Sequence, residues 1–327
     1  MLIIRFFIIC ILFISIKVDA QICGCTDNNA NNYNNNATIN DGSCIYDKTI
    51  YHPNILIDSL PDIINETSGL IYYNGGLWTH NDSDRKPEIY KFDTITGHIL
   101  QTVKINNAVN IDWEDITQDS NYIYVGDFGN NSGDRTNLKI YKISKKNITK
   151  EKNISVNASI INFSFSDQTE FVSNHCNNNF DCEAFFCFQD SLYLFSKNWI
   201  DKKTKLYVLP SIQGNYIATL IDSFNVNGFI TGADINISAN EITLIGYCDY
   251  IPFVWLFFDF KGNKFFSGNK RRIDISGLDF VQTEGITYTY NKNILISAEK
   301  SAVLQSLYRI NAALWINSKK KQNIRDK

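Results

Sequence analysis

Glu114, Glu183 and Glu284 are the residues of this chain whose type and spacing point most directly to chemistry. Each opens a short phrase: an acidic or hydroxyl residue, one spacer, then an aliphatic or aromatic residue. The phrases are Glu114-Asp115-Ile116, Glu183-Ala184-Phe185 and Glu284-Gly285-Ile286, with kin at Ser68-Gly69-Leu70 and Ala233-Asp234-Ile235. If all five take equivalent places around one axis, three carboxylates converge. Two unit charges about 4 Å apart repel by roughly 4 kcal/mol at an effective dielectric near 20, so such a group needs protons or a cation. Carboxylates with hydroxyl, carbonyl and water oxygens are the ligand set that calcium prefers. The candidate metal ligands are therefore Glu114, Glu183 and Glu284, with Ser68 offering a hydroxyl or carbonyl and Ala233 its carbonyl. No histidine lies in any phrase, which argues against zinc. The same glutamates could instead cap strand amides through water without a metal.

The elements that position these residues follow from the spacing. Positions 68, 114, 183, 233 and 284 differ by 46, 69, 50 and 51 residues, close to the periods of repeat architectures. After each phrase comes a second strand, a polar loop and a third strand, as in Glu88-Ile89-Tyr90-Lys91-Phe92 and Lys205-Leu206-Tyr207-Val208-Leu209. Alternating polar and apolar residues mark several of these as strands. The expectation is an all-β, five-bladed β-propeller. The 69-residue interval leaves a sixth blade open, although only one further strand is legible there. The last blade lacks an outer strand, which Ile55 to Leu60 would supply, closing the ring and removing a free edge.

Strands alternate in direction within a blade, so the phrases share one mouth of the channel with the loops joining second to third strands. The mouth candidates are Asp84, Arg85, Asp127, Lys197, Asp249 and Glu299.

Length, charge and termini bound the remainder. The chain has 327 residues, 44% of them hydrophobic and 13% aromatic, with a net charge of −3. That charge offers no basic footprint for a phosphate backbone, so nucleic acid is not expected as a partner. Residues 1–20 fit a secretory signal, leaving no membrane span in the mature chain and a secreted or periplasmic location. Residues 21–48 form a Cys- and Asn-rich module, 49–316 the propeller and 317–327 a basic tail. Cys25 with Cys44, and Cys176 with Cys182, are the expected disulfides. In the module, Asp27, Asp41 and the interleaved Asn residues suit either calcium or a solvated linker.

Two resemblances accompany these residues. The Gly24-Cys25-Thr26-Asp27 and Asp41-Gly42-Ser43-Cys44 stretches resemble short modules of secreted Bacteroidetes proteins, as the Asp112-Trp113-Glu114-Asp115-Ile116 phrase resembles uncharacterised propellers of that group. Ser68-Gly69-Leu70, Asp84-Arg85, Trp113-Glu114, Tyr124-Val125-Gly126 and Cys182-Glu183-Ala184 resemble, in order, the calcium-activated nucleotidases of the apyrase family, five-bladed propellers with axial calcium. Two functions compete. One is a secreted, calcium-stabilised propeller binding a small molecule, glycan or surface protein at its mouth. The other, implied by the second resemblance, is a calcium-dependent hydrolase of phosphoanhydrides or phosphate esters. There, Arg85 and Lys197 would neutralise charge, and Asp84, Asp127 or Glu299 would position water.

Overall fold

The computed structural model describes residues 21–278 and 280–316; the signal expected over 1–20 and the tail 317–327 lie outside the described residues. No α-helix occurs among the described residues, only short 3-10 turns between strands. The chain folds as a β-propeller, and the strands of the described residues form five four-stranded antiparallel units.

Their innermost strands are Thr67–Tyr73, Trp113–Gln118, Asp181–Phe188, Phe229–Asn236 and Thr283–Tyr288. Each packs against the next, and the fifth returns to the first, so the cycle closes. Burial follows position in the blade. Asp181–Phe188 is buried along its whole length, because both of its faces meet a neighbouring blade. Ile99–Ile105, the fourth strand of the first blade, alternates between inward and outward residues over its second half, as a half-solvated strand should.

Five hydrophobic clusters lie one at each seam between successive blades. Trp78, Trp113, Val125 and Tyr141 pack between the first and second. Phe128, Phe185 and Tyr207 pack between the second and third. Phe186, Leu244 and Phe257 fill the third seam, Ile245, Leu256 and Ile296 the fourth, and Leu70, Phe92 and Leu307 the fifth. Deleting a large side chain from such a core costs about 2–5 kcal/mol.

Asn54–Ile57 pairs antiparallel with Ser306–Asn311 and completes the fifth blade, as the missing outer strand required. Thr49–Tyr51 was not legible as a strand, and it adds in parallel to the outer edge of the fourth blade. The long interval contains no sixth unit. Its extra strand, Asn153–Val156, runs parallel to Ile99–Ile105 on the first blade, and Ser159–Phe165 completes the second.

The module of residues 21–48 is stapled by the Cys25–Cys44 disulfide. It docks on the fourth blade instead of forming a solvated linker. The Tyr46 and Phe258 ring centroids lie 6.4 Å apart, the Asn40 amide donates to Asn269 at 2.9 Å, and the Lys270 ammonium donates to the Gly42 carbonyl at 3.2 Å. Asp27 is occupied within the module, accepting from the Tyr46 hydroxyl at 2.7 Å and the Asn29 amide at 3.0 Å. Cys176 and Cys182 are not bonded to each other; both are free thiols. The Cys182 side chain turns into the blade, where its Sγ lies 3.5 Å from the Phe195 carbonyl, and Cys176 stays on the loop outside.

Candidate metal centre at the channel mouth

Every inner strand is irregular at one level. Opposite the second strand, the pairing passes from Trp113 to Asp115, from Cys182 to Ala184 and from Thr283 to Gly285, leaving Glu114, Glu183 and Glu284 as the extra residues of three β-bulges. A bulge re-aims its extra side chain and is common at the rims of closed sheets. In the fourth blade the pairing steps from Ile230 to Gly232, so the corresponding residue is Thr231. Ala233 lies two residues further along and packs in the seam cluster with Leu244. The Ala233 phrase therefore stands two residues out of register with the others.

In the first blade the irregularity falls between Ser68 and Ile71. Gly69 there has a φ of +47°, and an added Cβ would press on the Ile116 amide and the Asp115 backbone. Ser68 turns its hydroxyl onto the Glu114 carbonyl. It joins two blades, and its hydroxyl is engaged there.

The three bulged glutamates do not form one symmetrical ligand ring, because each has different company. Glu183 is bound by Lys197, whose Nζ donates to Oε1 at 2.5 Å, both side chains being buried. Lys197 also lies 4.7 Å from the Trp199 ring centroid. Burial pulls that ammonium down, but Glu183, Tyr247, Asp181 and Glu284 outweigh it and hold Lys197 protonated. Glu284 faces Glu299 instead. Burial raises Glu284 well above the carboxylate range, with Glu299 and Glu183 adding to it. Burial and then Asp82 and Glu66 push Glu299 up to about 8.

Glu114, only 6% exposed, stands with Asp82 and Asp112. One carboxylate oxygen from each lies within 4.8 Å of the other two. Burial pushes Asp82 up to about 6. Burial, with Asp82 beside it, pushes Asp112 up to about 7 against the pull of Arg135. Glu114 is raised well above the usual range by burial, then by Glu183, Asp82 and Asp112. Three carboxyl groups in such surroundings can share protons or hold a metal ion.

The surrounding residues fix this group. Asp82 immediately follows the second strand of the first blade, and its Oδ1 accepts from the Ser83 amide at 2.5 Å. The Asn110 side chain donates to the Asp82 and Asn81 carbonyls at 2.6 and 3.1 Å and accepts from the Trp113 amide at 3.2 Å. It thereby ties the loop that carries Asp82 to the strand that carries Glu114. Asp127 is a support: its Oδ1 accepts from Arg135 at 2.8 Å and from the Asp112 amide at 3.2 Å. Arg135 also donates to the Gly129 carbonyl at 2.6 Å. A Cβ on Gly129 would overlap Glu114 Oε1 and Asp112 Oδ2, so the absence of a side chain there keeps room beside the carboxylates. Asp181, fully buried, accepts from the Asn130 amide at 2.7 Å and Trp199 Nε1 at 2.9 Å.

The remaining mouth candidates sit farther out. Asp84 is exposed, with a φ of +57°. Arg85 is exposed and pairs with Glu66. Asp249 is exposed and lies 3.6 Å from Lys202. The members of this carboxylate group not singled out as ligand candidates from the sequence are Asp82 and Asp112, and the supports not singled out are Asn110, Gly129 and Arg135. The closeness of Asp112 to Glu114 in sequence was a usable signal, although Asp112 precedes the strand and Glu114 is its bulged residue, so strand alternation does not predict that they meet. Nothing local marks Asn110 or Arg135.

No family model matches the chain, and no curated protein matches it. Solved structures with a similar course include the PQQ-bound aldose sugar dehydrogenase of Streptomyces coelicolor, at 9% identity and a TM-score of 0.45, covering 79% of this chain and 98% of that one. A hypothetical protein from Leishmania major gives 13% identity and 0.46, covering 81% and 91%. Regucalcin of Agrobacterium tumefaciens, a calcium-binding protein, gives 10% and 0.41, covering 80% and 95%. At such values nothing of their chemistry transfers to this chain.

Proposed function

We propose that the protein is a calcium-stabilised β-propeller that acts outside the cytoplasm and binds a ligand at the mouth bearing Asp82, Asp112 and Glu114. The observation that carries this reading is the convergence of those three carboxylates beside Gly129, whose missing side chain leaves them space. The donors are oxygens only, a set suited to a hard cation such as calcium. The Cys25–Cys44 disulfide supports an oxidising compartment. Among the described residues, no helix is long and apolar enough to cross a membrane. Calcium would be held by Asp82, Asp112 and Glu114, and it would relieve the repulsion among them. Glu183, taken by Lys197, is a neighbour of that group instead of a member.

Metal analysis and thermal melting test the reading together. The purified chain is expected to retain about one calcium and to melt lower in chelator. An ion present at a hundred times its dissociation constant adds about 2.7 kcal/mol of stability. Glu114→Gln should abolish the difference between calcium and chelator. Equal melting in both for the unaltered chain overturns the proposal. The hydrolase alternative is less well supported, because its two cations are engaged elsewhere: Arg85 with Glu66 at the rim and Lys197 with Glu183 inside.

A further inference from the structure

Beside the carboxylates, between the fourth and fifth blades, lies a cavity of about 360 Å³ lined by Tyr247, Tyr250, Phe280, Val281 and Gln282. Tyr250 and Phe280 are 66% and 64% exposed. Their rings stack with centroids 5.3 Å apart and planes 29° from parallel. Both residues hold left-handed backbone, with φ of 64° and 65°, a conformation uncommon for bulky side chains. The Phe280 amide donates to the Tyr250 carbonyl at 3.0 Å and locks the two loops together. The result is an aromatic shelf presented to solvent, not folded into the seam below it.

The charge around the shelf selects its occupant. Gln282, on the cavity wall, accepts from the Glu299 amide at 3.0 Å and precedes Glu284 by two residues. The half-buried Tyr247, on another wall, lies close to Lys197, Glu183 and Glu284. Lys197 already serves Glu183. Glu284 and Glu299 face each other with no basic side chain donating to either among the described residues. Aromatic faces attract cations, most strongly where water is partly excluded. A cation bound there would favour the ionised form of the two glutamates, which a neutral ligand would not do.

We infer that the cavity between Tyr247 and the Tyr250–Phe280 shelf, beside Glu284 and Glu299, binds the ammonium group of a small organic cation. This rests on the reading of the mouth as a ligand site, but it does not require the calcium.

The test is calorimetric titration of the full chain with choline and with its uncharged isostere 3,3-dimethyl-1-butanol, each in calcium and in chelator. Choline is expected to bind at least tenfold more tightly than the isostere. Tyr250→Gly with Phe280→Gly should weaken choline at least tenfold. Glycine accepts left-handed backbone without strain, so that variant keeps its fold, which its melting temperature verifies. Glu299→Gln should weaken choline binding without weakening the isostere, and Asp84→Asn should change neither. Equal affinities for the two probes, no choline binding in either condition, or choline binding indifferent to loss of the shelf would each overturn the inference. Choline binding without a calcium-dependent melt would refute the metal reading alone. A calcium-dependent melt without choline binding would refute this inference alone.

Discussion

The two mouths of the channel are built from the same repeat and treat their carboxylates in opposite ways. At the far mouth, Asp234, Asp119 and Glu241 each accept from at least one donor. Asp234 accepts from the Tyr288 amide at 2.7 Å, the Ile235 amide at 2.8 Å and the Thr287 hydroxyl at 3.0 Å. Asp119 accepts from the Asn121 and Tyr122 amides and the Tyr124 hydroxyl. Glu241 is met by Lys292 at 2.5 Å. At the near mouth, Asp82, Asp112 and Glu114 have more carboxylate neighbours than donors. A cavity of about 860 Å³ opens at the far mouth, lined by Asp119, Asp234 and Lys292 among others.

Substitution can break that contrast from either side. Asp234→Ala at the far mouth strands the Tyr288 amide and the Thr287 hydroxyl. It is expected to cost about 3 kcal/mol by denaturant unfolding, equally with calcium and with chelator. A cost that depends on calcium would show that the far mouth is not the purely structural one. Gly129→Ala at the near mouth pushes a methyl group among carboxylate oxygens. It should cost about 1–3 kcal/mol and remove the stabilisation by calcium, whereas an unchanged calcium response would mean the ion sits elsewhere.

The subtlest contrast lies in the pH dependence. A carboxyl group raised on folding binds more protons in the folded than in the unfolded chain between its ordinary value near 4 and its folded value. Stability then falls as pH rises through that window. With Asp82 at about 6, Asp112 at about 7 and Glu299 at about 8, the melting temperature in chelator should decline steadily from pH 5 to pH 8. Calcium should flatten the part due to Asp82 and Asp112. A melting temperature that rises over this range in chelator would contradict the electrostatics described for the near mouth.

The ring was legible in the sequence because inner strands buried on both faces and outer strands that alternate leave different marks. The phrase at Glu114 and the strand at Glu88–Phe92 carry those marks plainly. The register of the fourth blade was not legible. Ala233-Asp234-Ile235 imitates the phrase, but the bulge falls on Thr231, and a bulge is set by pairing with another strand, not by local composition. The metal candidates were half legible for the same reason. Glu114 belongs to the repeat, whereas Asp82 reaches it from a loop of the preceding blade through Asn110, a contact across 28 residues. Lys197 looked like a free cation at the rim, and only the fold brings Glu183 to it.

The pairing of Asn54–Ile57 with Ser306–Asn311 has a kinetic consequence. The Gln305 side chain donates to the Leu60 carbonyl at 2.7 Å across 245 positions, so this joint pays nearly the largest loop-closure entropy available to the chain. Contacts of such separation form late and slow the search for the native state. The four earlier units can each zip from neighbouring hairpins, but the fifth waits for the two extremities of the propeller to meet. Under mild denaturant, amides of Leu307 and Tyr308 should therefore exchange before those of Ile123 and Val125, and simultaneous exchange would show that the ring opens as a single unit.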